Sequence, residues 1–433
     1  MIDNFSQLGV APNFIKLLEG RGIKKPTDIQ CKIIPLLSSG ESAAEAASAA
    51  KAAGVIFTSA TGTGKTFAYL LPILGRMLGG GNENGTARKE GINPQFLIIG
   101  PTLELCTQIK AELDFLTAGT DISSSLVIGS VNIEYQIDNL KKIKPDIIIG
   151  NISRLLALAK MGKLPAKSRL KFSNLKYLVL DEADRLVSGE MLDETKELCG
   201  IIHREIKTEN SILYAACSAT INKKCREKLL NNCFNFQKNS DSIKFIESDY
   251  NEILYEKIEH WAIFSERRRK DQTLRSLLSA LNNQKSKVKA LVFTSRNDEA
   301  LFVLSHLQHH KVSAAGLFGK VSKKAIMGEV RKEALDSFRD GSVAVLVSTD
   351  LAARGLDIPG ITHVIALDVP EDGEVYIHRC GRTARAGKRG TMVTIGDETQ
   401  MRLLAALEKK LKIKIFPKEL HYGKVCAPAP IED

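Results

Sequence analysis

No Cys-x-x-Cys pair occurs in this chain, although it holds eight cysteines, at positions 31, 106, 199, 217, 225, 233, 380 and 426. That scatter argues against a structural zinc module, whose ligands come in closely spaced pairs. The thiols read instead as reduced core residues of an intracellular protein. The start, Met1 to Ser6, has no basic region leading into an apolar run, so no secretory signal is expected. No stretch reaches the roughly 18 uninterrupted apolar residues of a membrane span. The expected setting is therefore the cytoplasm, with no membrane partner.

What is present is a long, basic chain with enough apolar residues for real cores. Its 433 residues suit two domains, and 44% of them are hydrophobic. A formal net charge of +11 fits a polyanionic partner, nucleic acid in the simplest case, and equally a merely basic soluble protein. The clusters Arg267–Lys270 and Lys409–Lys412 are open to the same two readings.

Short β-branched runs alternate with amphipathic stretches. Gly54–Thr58, Phe96–Gly100, Asp146–Gly150, Tyr177–Leu180 and Ser211–Ala216 read as buried parallel strands. After a polar stretch a second set follows: Ala290–Phe293, Val343–Val347, His363–Ala366 and Gly390–Ile395. Two such arrays predict an α/β protein of two tandem doubly wound parallel-sheet domains. The expected limits are 1–238, a linker at 239–254, a second domain at 255–420 and a short irregular tail at 421–433. Ser38–Ala53, Gly79–Gly85 and a stretch near Lys320–Met327 read as insertions.

Three segments carry chemistry. The run Ser59-Ala60-Thr61-Gly62-Thr63-Gly64-Lys65-Thr66 follows a strand and opens an apolar helix. Its glycines let backbone N–H groups turn toward phosphate oxygens, and the helix N-terminus adds positive charge. Lys65 is placed for the β- and γ-phosphates and Thr66 for magnesium. Ser59 stands where the strict pattern has glycine. Asp181 and Glu182 of Asp181-Glu182-Ala183-Asp184 close another apolar strand. Asp181 suits magnesium and Glu182 suits orienting and deprotonating a water, while an acidic turn capping a helix is the plainer alternative. Far along the chain, Arg382 and Arg385 sit in a Gly-Arg-Thr-Ala-Arg run. Such guanidinium groups can neutralise charge on a transferred phosphoryl group, or form an ordinary surface patch.

This ordered set resembles the DEAD-box ATP-dependent RNA helicases of superfamily 2, over nearly the whole chain. The resemblance implies two RecA-like domains, ATP and Mg2+ as cofactors, and RNA as the partner, held mainly by its sugar-phosphate backbone. Gly22 and Pro26-Thr27-Asp28-Ile29-Gln30 are similar to the family's adenine-reading segment, with Phe5 as its upstream aromatic. Thr27, Gln30 and Phe5 would thus join residues 60–66 in binding ATP, and Asp357 would lie near the ribose or the water. Ser218-Ala219-Thr220 is similar to the segment coupling hydrolysis to inter-domain contact. Asp184, Arg354 and His378 complete that coupling set.

The RNA-facing segments depart further from the family pattern. Its Pro-Thr-Arg-Glu-Leu-Ala is here Pro101-Thr102-Leu103-Glu104-Leu105-Cys106, and its Thr-Pro-Gly-Arg is here Asn151-Ile152-Ser153-Arg154. Thr102, Arg154, Arg296 and Thr349 remain the expected phosphate contacts. A monomeric RNA helicase is the resulting expectation. An ATP-gated RNA clamp with little unwinding and a DNA-translocating helicase are its rivals.

Overall fold

The computed structural model describes residues 4–38, 54–59, 63–79, 91–160, 169–189, 191–206, 212–234, 242–247, 257–283, 288–318, 327–353, 358, 360–384 and 388–428. The chain divides into two compact units, Met1–Ser248 and Asp249–Asp433.

In the first unit seven strands form one parallel sheet: β1 Gly54–Thr58, β2 Phe96–Gly100, β3 Ser124–Val127, β4 Ile147–Asn151, β5 Tyr177–Asp181, β6 Leu213–Ser218 and β7 Ile243–Glu247. Their spatial order is β3-β4-β2-β5-β6-β1-β7. Strand alternation sends Ile56, Leu97, Ile99, Leu178 and Leu180 into one core. Val55, Phe57, Ile98, Val179 and Cys217 enter the core on the other face. Both faces are apolar because helices cover both, which is why these strands read as continuous hydrophobic runs. The seventh strand corrects an expectation: Ile243–Glu247 falls inside the stretch read as a linker. It pairs in parallel with β1, Ile243 opposite Gly54 and Glu247 opposite Thr58. Ile243 is buried and Lys244 exposed, the alternation of an edge strand that shields the open side of β1.

The second unit holds an eight-stranded sheet, ordered β10-β11-β9-β12-β13-β8-β14-β15. Its strands are β8 Ile258–Phe264, β9 Ala290–Thr294, β10 Ala314–Leu317, β11 Val345–Thr349, β12 His363–Ala366, β13 Gly390–Gly396, β14 Ile415–His421 and β15 Lys424–Cys426. Again two cores flank it, one around Leu291, Phe293 and Leu346 and the other around Val292, Val347 and Ile365. The expected irregular tail is also corrected. From His421 the chain turns through Tyr422 (φ 46°) and Gly423 (φ 70°) into β15, which returns antiparallel along β14. Two consecutive positive φ angles are what a two-residue hairpin turn requires. Leu420 and Val425 then pack on the core.

His363, at the start of β12, gives this unit a pH dependence. Burial lowers its imidazole from 6.5 to about 4, so the folded protein keeps it neutral. The unfolded chain binds a proton there between those two values, and stability therefore rises with pH across that window. Folding should lose up to about 3 kcal/mol from this group as pH falls from 6.5 to 4. Urea unfolding of His363→Gln against the parent chain checks this: the variant's midpoint should fall less steeply over the same range.

Candidate nucleotide and RNA site

In the first unit the strand ends converge. β1, β6 and β5 are neighbours, with Thr58 opposite Ser218 and Cys217 opposite Asp181. Ser59, the Asp181–Glu182 pair and Ser218 therefore lie at the same carboxyl end of the sheet, where ligands of doubly wound folds sit.

Lys65 opens the helix Lys65–Gly79. Immediately before it, Gly64 has φ +86°, and a Cβ there would stand 2.3 Å from Gln30 Nε2. Both the backbone conformation and the close approach demand glycine. Gln30 Nε2 donates to Gly64 O at 3.1 Å, and Gln30 Oε1 accepts from Thr27 N–H at 2.9 Å. Thr27, Gln30 and the loop are thus one hydrogen-bonded assembly. Gln30 itself is 2% exposed, and Ser59 and Thr63 join hydroxyls at the loop's entry. Phe5 is also 2% exposed and lies in the same core as Ile29 and Ile33. Its ring is therefore enclosed and presents no open stacking face.

Asp181 is buried, and both its oxygens are engaged. Tyr69 Oη donates to Oδ2 at 2.9 Å; the Cys217 thiol and Glu182 N–H donate to Oδ1 at 3.2 and 2.9 Å. Burial nevertheless pushes its pKa up, against the nearby positive charge of Lys65. Burial likewise raises the Tyr69 and Cys217 pKa values, so both remain protonated donors. Sequence reasoning missed this pair. The available signal was that Tyr69 stands four residues after Lys65, on the same helical face.

Glu182 sits at φ 48°, ψ 51°, a left-handed conformation uncommon for a side chain of its size. The turn directs its carboxylate to Arg185, 3.4 Å away, and both side chains are buried. Asp184 accepts a hydrogen bond from Thr220 Oγ1 at 3.1 Å, tying the acidic segment to the segment after β6. Ser218 is fully buried, with no hydrogen bond to its hydroxyl among the described residues.

The expected RNA contacts have local duties. Thr102 caps the helix Leu103–Thr117 by accepting from Leu105 N–H. Arg154 donates to Gly129 O at 2.8 Å and Val131 O at 2.6 Å, pinning that loop. In the second unit Thr349 ends β11 and is buried, whereas Arg296 is exposed and paired with Asp298 and Glu299.

The second unit's organising residue was also missed. Arg379 is 1% exposed. It makes a two-pronged contact with Asp350, at 2.8 and 2.7 Å, and reaches Asp368 Oδ2 at 3.0 Å and Asp368 O at 2.9 Å. The ends of β11 and β12 are thereby clamped to the helix Gly373–Cys380, which carries His378. Arg382 follows, 3% exposed, with Nε donating to His378 O at 3.3 Å. Thr383 Oγ1 then donates to Ile361 O at 2.7 Å. Removing the clamp strands two carboxylates: Arg379→Ala should cost about 3 kcal/mol, read as a lower urea midpoint. Ala60, Thr61, Gly62, Arg354, Asp357 and Arg385 lie outside the described residues.

The models of the DEAD/DEAH box helicase and of the helicase conserved C-terminal domain match residues 27–228 and 269–387. The chain is 32% identical to the DEAD-box ATP-dependent RNA helicase CshC of Bacillus cereus, across 95% of this chain and 92% of that protein. It is also 32% identical to the ATP-dependent rRNA helicase rrp3 of Aspergillus niger, across 96% and 79%. Among solved structures, Mss116p bound to single-stranded RNA and AMP-PNP is similar at 25% identity and TM-score 0.78, covering 96% of this chain and 78% of that one. Two parallel-sheet units carrying these strand-end residues, together with these matches, make the chain a member of the DEAD-box helicases.

Proposed function

We infer that the protein is an ATP-dependent RNA helicase, an RNA-stimulated ATPase that separates short duplexes. The observation that carries this is the assembly of Gln30, Gly64, Lys65, Asp181 and Glu182 at one end of the sheet of a DEAD-box chain. The glutamine amide beside the phosphate loop favours ATP over GTP, since it can read the adenine edge.

Magnesium fits the donors present. Asp181 and Thr66 offer hard oxygens, and no cluster of three or more His, Cys, Asp or Glu side chains suited to a metal occurs among the described residues. Mg2+ commonly takes only one or two protein oxygens, filling its shell with water and phosphate. When bound it would neutralise charge between the phosphates. Tyr69 and Cys217 hold the Asp181 carboxylate in place for it. Lys65 meets the terminal phosphates, and Glu182, released from Arg185, orients and deprotonates the attacking water.

Arg382, with Arg385, stabilises the charge that develops on the transferred group when the two lobes close on ATP and RNA. RNA is held through its backbone, by Thr102, Arg154, Arg296 and Thr349, which implies strong salt dependence and little sequence preference. Coupling runs through the Asp184–Thr220 contact. We read the protein as a monomer acting in the cytoplasm.

Strand displacement tests the reading. A short RNA duplex should separate with ATP and not with ADP, and RNA should stimulate ATP hydrolysis more than DNA of the same sequence. ATP-dependent RNA binding without displacement would leave a clamp instead.

A further inference from the structure

At the starting end of the second unit's sheet, away from the strand ends that carry Thr349, Asp350 and Asp368, a cavity of about 570 Å³ opens where β8, β12, β13 and β14 begin. Lys257, Glu259, His363, Arg389, Lys414 and Phe416 line it. Next to two of these lining residues, His363 and Phe416, stands Trp261, the chain's single tryptophan. The indole stands edge-on to His363, ring centres 6.4 Å apart, and pairs in register with Phe416 of β14. Phe416 is 40% exposed.

Charge around these rings is one-sided. Lys414 Nζ lies 5.2 Å from the Phe416 ring and Lys418 Nζ 5.5 Å from Trp261. With Lys257 and Arg389 they make four cations. The one carboxylate of the cavity, Glu259, accepts a hydrogen bond from Trp261 Nε1 at 3.1 Å. An exposed phenyl ring and a half-buried indole set among cations match single-stranded nucleic acid, whose bases stack without sequence preference while the phosphates meet the charges. An acidic polypeptide would satisfy the cations and leave both rings without a planar partner.

We propose that this cavity and the neighbouring Trp261 bind single-stranded RNA, as a contact separate from the strand-end motifs, with a base against Trp261 or Phe416 and phosphates among Lys257, Arg389, Lys414 and Lys418. It rests on the reading of the chain as an enzyme that acts on RNA, and adds a hold on strand flanking the region being opened.

Trp261 reports on its own site. Fluorescence of the full chain, without nucleotide, is titrated with a short oligouridine, beside an ATPase assay on the same oligonucleotide. Saturable quenching is expected, weakened by salt. Arg389→Glu combined with Lys414→Glu should weaken the affinity read by quenching about tenfold or more, with RNA-stimulated ATPase within about twofold of the parent, since neither residue belongs to the strand-end set. Stimulated ATPase without quenching overturns the proposal and leaves the helicase reading standing. Quenching by polyglutamate and not by oligouridine overturns it in favour of an acidic protein partner. Loss of both signals in the parent chain removes the proposal together with the RNA-directed reading.

Discussion

Glu182→Gln should lower RNA-stimulated ATP hydrolysis by on the order of 10²–10⁴-fold, the usual worth of a positioned general base. The exchange preserves size and one acceptor oxygen but not the basic carboxylate. It also removes the charge facing Arg185 across 3.4 Å. Both side chains are buried, so part of the stability is at risk, and a thermal melt must accompany the kinetics. The distinguishing feature is that binding persists: Lys65, Gln30 and Asp181 are untouched, and ATP with RNA should be retained for longer than by the parent chain. Single-turnover hydrolysis within about tenfold of the parent would remove Glu182 from the water-activating role.

Arg382→Ala should cost about 10³–10⁵-fold in turnover, the range seen where an arginine stabilises a phosphoryl-transfer transition state. Its ATP affinity should change little, because on the proposed reading Lys65, Thr66 and Gln30 of the first unit hold most of the nucleotide. This separates the arginine from Lys65, whose loss should weaken binding itself. Since Arg382 is 3% exposed, a packing defect is the competing explanation. Arg382→Lys keeps the charge and much of the stem but loses the planar fork, so it should retain the fold and recover only a small part of the rate. Full recovery by lysine would mean that charge or packing, not guanidinium geometry, is what the site uses.

Much of this molecule was legible because its signals are local. Ile147–Ile149 and Leu178–Leu180 are apolar on both faces, which only a covered parallel strand tolerates. The phosphate loop and the acidic segment were readable because each ends such a strand. What sequence concealed depends on distant contacts. Ile243–Glu247 reads as linker until β1 supplies its partner. Ile258–Phe264 mixes His, Glu and Trp and lacks a strand's usual pattern, yet lies between β13 and β14. Lys424–Cys426 is a strand only because Tyr422 and Gly423 accept positive φ. In the site, the donors Tyr69 and Cys217 lie 112 and 36 residues from Asp181. Arg379 was passed over beside Arg382, although it gathers Asp350 and Asp368. No spacing rule joins residues so far apart; topology does.

The proposed mechanism requires that lobes carrying Lys65 and Arg382 close on one triphosphate. A crystal structure of the full chain with ADP–beryllium fluoride and single-stranded RNA reads this directly. The Arg382 guanidinium should lie about 3 Å from the fluoride group, on the side opposite Lys65. The same complex with Arg382 still folded against His378 O, and no second-lobe cation at the fluoride, would contradict it.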